Sequence, residues 1–439
     1  MSEAYIIDAC RTPRGIGKQG KGSLAHLHPQ HLGSTVLKAL QERNGFDTAD
    51  VDDVVWGTSS QVMEQSGDIG RMSALDAGYD MKASGVTLDR FCGSGITTVS
   101  LPAAQIMSGM EDLLIAGGAE MMSYHGQIAD PSQPPMIDSG NLELRAMHPQ
   151  SQQGVCADAI ATLEGIDRDA VDDLALVSQA RAAQAIAEGR FDKSLITVKN
   201  PDGTVALDHE EFPRPETTKE GLSELKTVFS VVRDVPVDEA GTTYGALIQQ
   251  KYPEITEFNH IHHAGNSSGV VDGAAALLLA SEAYMEKSGM TPRARIVATA
   301  NMGDCPTLML NAPVPAAEKV LLKAGLTKDD IDVWEINEAF SVVAERFIRK
   351  LDLDREKVNI NGGAMALGHP IGATGSILVG TALDELERQG GRYALITMCA
   401  AGGMAPPSKG DDVDSNAKTG HALTRRQARF HISFVVSLV

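Results

Sequence analysis

Two cysteines and a histidine, each set among small residues, are the side chains of this sequence best suited to chemistry. Cys92 lies in "VTLDRFCGSGITTVS", where a strand-like run meets a helix-like one through a glycine-flanked turn. A thiol at a helix N-terminus feels the positive end of the macrodipole and free backbone N–H groups, both of which favour thiolate. Glycines beside it let a substrate approach the sulfur and let main-chain amides point at a developing oxyanion. These features fit a nucleophile, and a buried structural cysteine fits the local sequence equally well. His369, in "GGAMALGHPIGATG", is the candidate base for that thiol, although a lone histidine serves structure more often than catalysis. Pro370 is expected at the first helical position, where its missing N–H costs nothing. Cys399, in "ITMCAAGGM", follows an apolar strand and could move a proton if its pKa is lowered, or be inert and buried. "WEINEAF" places Asn337 and Glu338 where a strand becomes a helix, and there Asn337 could be no more than an N-cap.

The elements that must position these groups form an approximate internal repeat. One copy runs "GVTLDRFCGSGITTVSLPAAQIMSGMEDLLIAGGAEMMS" and the other "VNINGGAMALGHPIGATGSILVGTALDELERQGGRYALITMCAAGGMA". Each has a strand-like run, a turn, a helix of small and apolar residues, a glycine turn and an apolar strand. Duplication of one α/β half explains this most simply, and superposing the copies puts Cys92 and His369 at equivalent points. "AYIIDA" and "DDVVWGT" read as buried strands around the helical "HLGSTVLKALQERNG", so strands alternate with helices and a mainly parallel sheet is expected. Between the halves lies a more polar region with an amphipathic helix, "RDAVDDLALVSQARAAQAIAEG".

The chain has 439 residues, 43% of them hydrophobic and 22% charged, enough for two or three domains with a large core. Its formal net charge of −20 opposes nonspecific binding to nucleic acid, so none is expected as a partner, and an anionic substrate would need a local basic patch. Five scattered cysteines without CxxC read as reduced thiols. The N-terminal stretch has no apolar run of signal-peptide length and no other stretch reaches about 18 uninterrupted apolar residues, so a cytoplasmic protein without a membrane partner is expected. "HLHPQH" and "HIHH" lack companion ligands at recognised spacing, and no metal is expected. The acidic runs "DTADVDD" and "DHEE" read as solvated faces, and "RTPRG" as a surface turn, with contact to the phosphates of an anionic substrate as its alternative.

Taken together and in order, "RFCGSG", "AGGAEMMS", "GNSSGVVDGAAALLL", "INEAF", "GGAMALGHPIGATG" and "CAAGGMAP" resemble the thiolases, the family of acetyl-CoA acetyltransferase and 3-ketoacyl-CoA thiolase. The resemblance runs from about residue 3 to 406. It implies a layered α/β/α/β/α fold of two pseudo-symmetric α/β halves with an inserted loop domain. The halves would divide as 1–124, loop domain 125–265, return 266–292, second half 293–406 and a divergent, flexible tail 407–439. It implies Cys92 as the acylated nucleophile, His369 as its base, Cys399 as acid/base at the substrate α-carbon and Asn337 as holder of an oxyanion-stabilising water. Ser268 would face the pantetheine arm and Gly402 would also contact substrate. Coenzyme A would be a substrate, with no cofactor, in a homodimer or homotetramer serving fatty-acid β-oxidation.

The sequence departs from the family pattern in two places. Ala401 stands where many thiolases have glycine, two residues after the second cysteine. After "GGMAP" the expected last apolar strand is replaced by "PSKGDDVDSNAKTGHALTRRQARFHISFVVSLV", which is expected to leave part of the second sheet unpaired. Two other functions are weighed. Decarboxylating ketoacyl synthases share the fold but pair their cysteine with two histidines or with His and Asn, which Cys399 and "NEAF" oppose. A catalytically impaired acyl-CoA-binding protein is opposed by retention of Cys92, His369 and Cys399 together.

Overall fold

The computed structural model describes residues 3–124, 136–404 and 433–437 of the chain. Ten strands share one mixed sheet. They are β1 (Ala4–Arg11), β2 (Gly15–Ile16), β3 (Asp53–Gly57), β4 (Ser84–Leu88), β5 (Leu113–Met121), β8 (Val271–Ser281), β9 (Ala294–Ala300), β10 (Val333–Ile336), β11 (Tyr393–Thr397) and β12 (Ser433–Ser437), while β6 (Val198–Lys199) and β7 (Val205–Leu207) pair separately. The order is β10-β11-β12-β9-β1-β8-β5-β3-β4, with β2 against β8. The two halves of the sheet meet where β1 pairs antiparallel with β9 through Tyr5↔Arg295 and Ile6↔Ala294.

Successive residues of β1, β5 and β8 face different cores, as the period of two requires. Ile6, Leu114, Leu277 and Leu279 pack with the helices Ser94–Ser108 and Ile371–Gln389. Tyr5, Ile115 and Leu278 pack with Leu32, Val36 and Leu40 of the helix Pro29–Asn44. Burial on both faces is why these strands read as unbroken apolar runs instead of alternating ones. On the second half, Trp334, Ile336 and Leu395 share a core with the helices Pro313–Ala324, Ser341–Leu351 and Gln153–Glu164. The molecule is thus a pair of central helices between two half-sheets, with helices outside each.

The central pair touches backbone to backbone. A Cβ on Gly95 would lie 2.7 Å from the Gly375 nitrogen, and one on Gly375 would lie 2.1 Å from the Ile96 nitrogen. Only glycine at both positions permits this approach, and Ser376 Oγ seals it by donating to the Gly95 carbonyl at 3.0 Å.

The half-sheets differ at one position. In the first, β8 runs antiparallel to both its neighbours, β5 and β1. In the second, the slot between β11 and β9 is taken by β12, which runs parallel to both. The expectation of an unpaired second sheet is therefore corrected at 433–437. The rest of the tail expected at 407–439 lies outside the described residues.

Two surface readings are also corrected. Arg11 and Arg14 of "RTPRG" are buried, and both reach Glu210 of "DHEE" at 2.7 Å. Those two arginines hold the Glu210 carboxyl down at about 2 although burial by itself would raise it. Glu211 accepts from the Ile16 amide and the Ser23 hydroxyl. The acidic run is thereby a clamp that fastens the intervening region onto the first half.

Candidate active site

The candidate nucleophile and base are placed by the repeated unit. Cys92 stands two residues ahead of the helix Ser94–Ser108, and His369 two residues ahead of the helix Ile371–Gln389. Pro370, expected as the first helical residue, is the N-cap instead. Phe91 just before the cysteine has φ 49°, a left-handed conformation that a bulky residue adopts only under constraint. The constraint is Ser94, whose hydroxyl accepts from the Arg90 amide at 2.8 Å and donates to the Phe91 carbonyl at 2.7 Å.

Three loops close around these helix starts. The Ser268 amide donates to Ala339 and the Gly269 amide to Ala364, while the His369 amide donates back to the Gly269 carbonyl at 2.9 Å. Asn337 follows β10, its amide bonded to Thr397 at the end of β11, and Cys399 lies two residues beyond that end. Asn337 is no N-cap, since the helix that follows starts at Ser341 with Phe340 as cap. Glu338 turns away and accepts from Ser178 (2.7 Å), Asn359 (2.9 Å) and the Met365 amide (3.1 Å), bracing the loop before His369. A Cβ on Gly363 would sit 2.2 Å from that carboxyl, so glycine is required there.

Cys92, Cys399, His369 and Asn337 are all buried. Burial pushes the Cys92 thiol up to about 12, with the carboxylates of Glu120 and Asp89 adding to the effect. The expected pull of the helix N-terminus toward thiolate is outweighed, and Cys92 is a neutral thiol at rest. The Cys399 thiol is raised by burial and then by Cys92, which it senses directly. Burial takes His369 down to about 4, against a smaller opposing effect of Glu120. His369 Nε2 and both amide atoms of Asn337 are buried with no hydrogen-bond partner among the described residues. Buried polar groups are nearly always paired, so these atoms mark a place built for something polar.

Beside this cluster opens a cavity of about 800 Å³ lined by Phe212, Leu222, Val228, Phe229, His263 and Ser268, with Lys18 and Arg214 among its lining residues and exposed. Cys92, His369 and Cys399 do not line it. It meets them through Gly269, the residue that holds the His369 amide.

The sequence matches two family descriptions, "Thiolase, N-terminal domain" over residues 4–235 and "Thiolase, C-terminal domain" over residues 290–408. The chain belongs to the thiolase family. Curated thiolases similar to it include the beta-ketoadipyl-CoA thiolase of Acinetobacter baylyi, 38% identical over 92% of this chain and 98% of its own length. The steroid 3-ketoacyl-CoA thiolase of Mycobacterium tuberculosis is 39% identical over 92% of this chain and 93% of its own. Among solved structures, human mitochondrial 3-ketoacyl-CoA thiolase superposes with a TM-score of 0.77 at 31% identity, covering 92% of this chain and 97% of that one. Bacillus anthracis acetyl-CoA acetyltransferase superposes at 0.76 with the same identity and coverage. This thiolase is accordingly an acyl-CoA acetyltransferase of the thiolase family.

Cys92 and Cys399 lie close enough to act on one another, Glu120 acts on both Cys92 and His369, Asn337 is bonded to Thr397 two residues before Cys399, and Ser268 lines the neighbouring cavity. Gly402 has φ 80° in the loop after Cys399, and the Ala401 methyl is absorbed into the core that holds Cys399. The histidine clusters have other partners: His260 and His262 both engage Asp158 at 2.7 Å, and His263 engages Asp172 at 2.8 Å. His26 contacts Asn200 and His31 the Lys199 carbonyl. No group of three or more metal-ligating side chains occurs among the described residues of this thiolase, nor does a helix long and apolar enough to cross a membrane. Sequence reasoning missed Glu120, which accepts from the Gly372 amide at 2.8 Å and the Ser59 amide at 2.9 Å and so ties the His369 helix to the first half. Its only signal was an isolated carboxylate inside the apolar run "LLIAGGAEMM".

Proposed function

We propose that this thiolase cleaves 3-ketoacyl-CoA with coenzyme A, and runs the reverse Claisen condensation, through an acyl-Cys92 intermediate. The observation that carries the reading is the set of orphaned buried atoms, His369 Nε2 and the Asn337 amide, together with two buried thiols close enough to act on one another. A neutral thiol at rest cannot attack, so the step needs a base, and an imidazole whose own pKa lies near 4 is unprotonated at neutral pH. The Cys92 proton passes to His369 Nε2 as Sγ bonds to the 3-keto carbon. The C2–C3 bond then breaks, and the acetyl-CoA enolate takes its proton from Cys399. The raised Cys399 thiol is in its protonated, acid form at neutral pH, as this direction demands. Coenzyme A then gives its thiol proton to the Cys399 thiolate and takes the acyl group, and the departing Cys92 thiolate recovers its proton from His369 Nε2.

The apolar cavity with Ser268 suits a pantetheine arm, and Lys18 and Arg214 supply the local positive charge that a polyanion needs on a chain of net charge −20. Gly402 would contribute main-chain groups to the thioester oxygen. The enzyme would need coenzyme A as substrate and no cofactor, and would act in the cytoplasm as a homodimer or homotetramer, in fatty-acid β-oxidation or in the breakdown of related 3-ketoacyl-CoA esters. The test is CoA-dependent loss of acetoacetyl-CoA and of a longer 3-ketoacyl-CoA by the full chain and by Cys92→Ser. Turnover that vanishes in the variant, with an acyl mass on Cys92 of the native protein, is expected. Undiminished turnover in Cys92→Ser would overturn the assignment.

A further inference from the structure

We propose that Thr374 is a positioning residue that fixes the tautomer of His369, an inference that rests on the thiolase reading only for its kinetic readout. His369 Nδ1 lies 2.6 Å from Thr374 Oγ1, both groups being buried. The same hydroxyl donates to the Pro370 carbonyl at 2.9 Å, a bond back to the residue four positions earlier. A hydroxyl has one proton to give. With it directed at Pro370, the oxygen offers the ring only lone pairs, so Nδ1 carries the hydrogen and Nε2 is bare. The opposite tautomer would put an N–H at Nε2, where no acceptor exists among the described residues, and burial penalises an unpaired donor.

The consequence concerns the proton path. Only a bare Nε2 can take the Cys92 proton: the S–H bond breaks, an Nε2–H bond forms, and the imidazolium charge is shared through the Nδ1–H···Oγ1 bond. When the proton leaves again it leaves from Nε2, so the Nδ1 hydrogen stays on the ring, donated to Thr374 Oγ1, throughout. Thr374 adjoins Gly375, whose backbone is pressed against Ile96 four residues after Cys92. The tautomer lock is therefore mounted on the same rigid helix contact that spaces thiol from imidazole.

The experiment compares the full-length protein with Thr374→Val, which keeps the shape, and Thr374→Ser, which keeps the oxygen. Histidine is labelled with ¹⁵N, and the His369 signals among the 12 histidines are assigned by their loss in His369→Asn. Expected in the native enzyme and in Thr374→Ser is the Nδ1–H tautomer, with Nε2 showing the shift of an unprotonated ring nitrogen. Thr374→Val should show mixed or reversed tautomers, and its kcat should fall roughly 10- to 1000-fold with KM within about threefold, while Thr374→Ser recovers most of the rate. An Nε2–H tautomer in the native enzyme overturns the proposal, as does an unchanged kcat in Thr374→Val. Should Thr374→Val fail to fold, the native and Thr374→Ser spectra still decide. Absence of turnover in the native protein would count against the thiolase chemistry alone, because the tautomer is read without substrate.

Discussion

Replacing Gly375 by alanine tests whether the backbone contact between the central helices sets the geometry of the site. The added methyl would lie 2.1 Å from the Ile96 nitrogen and 2.6 Å from the Gly95 carbonyl carbon, both main-chain atoms that no rotamer change can move. Ordinary van der Waals contact begins at 3.4 Å, so the helices must part by about 1 Å. Overpacking of this kind costs about 1–3 kcal/mol, and with backbone on the receiving side the upper end applies. Cys92 and His369 ride on the ends of the two helices, and about 1 Å of misplacement between reacting groups costs on the order of 100-fold in rate. The assay is kcat for thiolysis together with the urea midpoint. Gly380→Ala serves as control on the same helix, where the new methyl would meet only the Ala9 side chain, at 3.3 Å. The expected outcome is loss of about two decades of kcat in Gly375→Ala and little change in the control, which also gains helix propensity. If both variants keep native kcat and midpoint, the contact does not space the site.

Two further predictions follow from burial and from strand pairing. The His369 imidazole, near 4 in the fold and 6.5 in an unfolded chain, contributes stability above pH 6.5 that is lost as pH falls toward 4, because the unfolded state takes up the proton first. The full loss is about 3 kcal/mol, about 2 of it by pH 5, so urea denaturation at pH 7 and 5 should show a steeper loss for the native protein than for His369→Asn; parallel losses would refute the buried neutral ring. Deleting residues 433–439 strips β9 and β11 of the strand between them, leaving ladder N–H and C=O groups unpaired next to Cys399. Soluble yield and thermal midpoint should both drop sharply, and a truncated chain as stable as the full one would show that β12 does not close the sheet.

The sequence was informative wherever the physics is local. The glycine-flanked turns, the paired copies and the apolar runs of β5 and β11 exposed an α/β duplication, and the motifs around Cys92, Asn337, His369 and Cys399 pointed to one family because their order and chemistry occur together. Helix boundaries were legible to within a few residues, since caps and periodicity are short-range signals. Protonation was not. The helix terminus before Ser94 suggested a thiolate, yet burial, which depends on every element packed over Cys92, pushes the thiol up instead. The acidic run at Glu210 and Glu211 looked solvated because nothing nearby in sequence contradicted it. Its partners Arg11, Arg14 and Ser23 are nearly 200 residues away. The direction of β12 was equally invisible, because an apolar pentapeptide pairs either way and only the slot between β9 and β11 chooses. Sequence by itself thus determined the candidate groups for the chemistry and the repeating unit that carries them. Tertiary structure decided their burial, their hydrogen-bond partners and the contact between the helices that carry them, because desolvation and close contact are properties of what surrounds a side chain and not of the residues beside it in the chain.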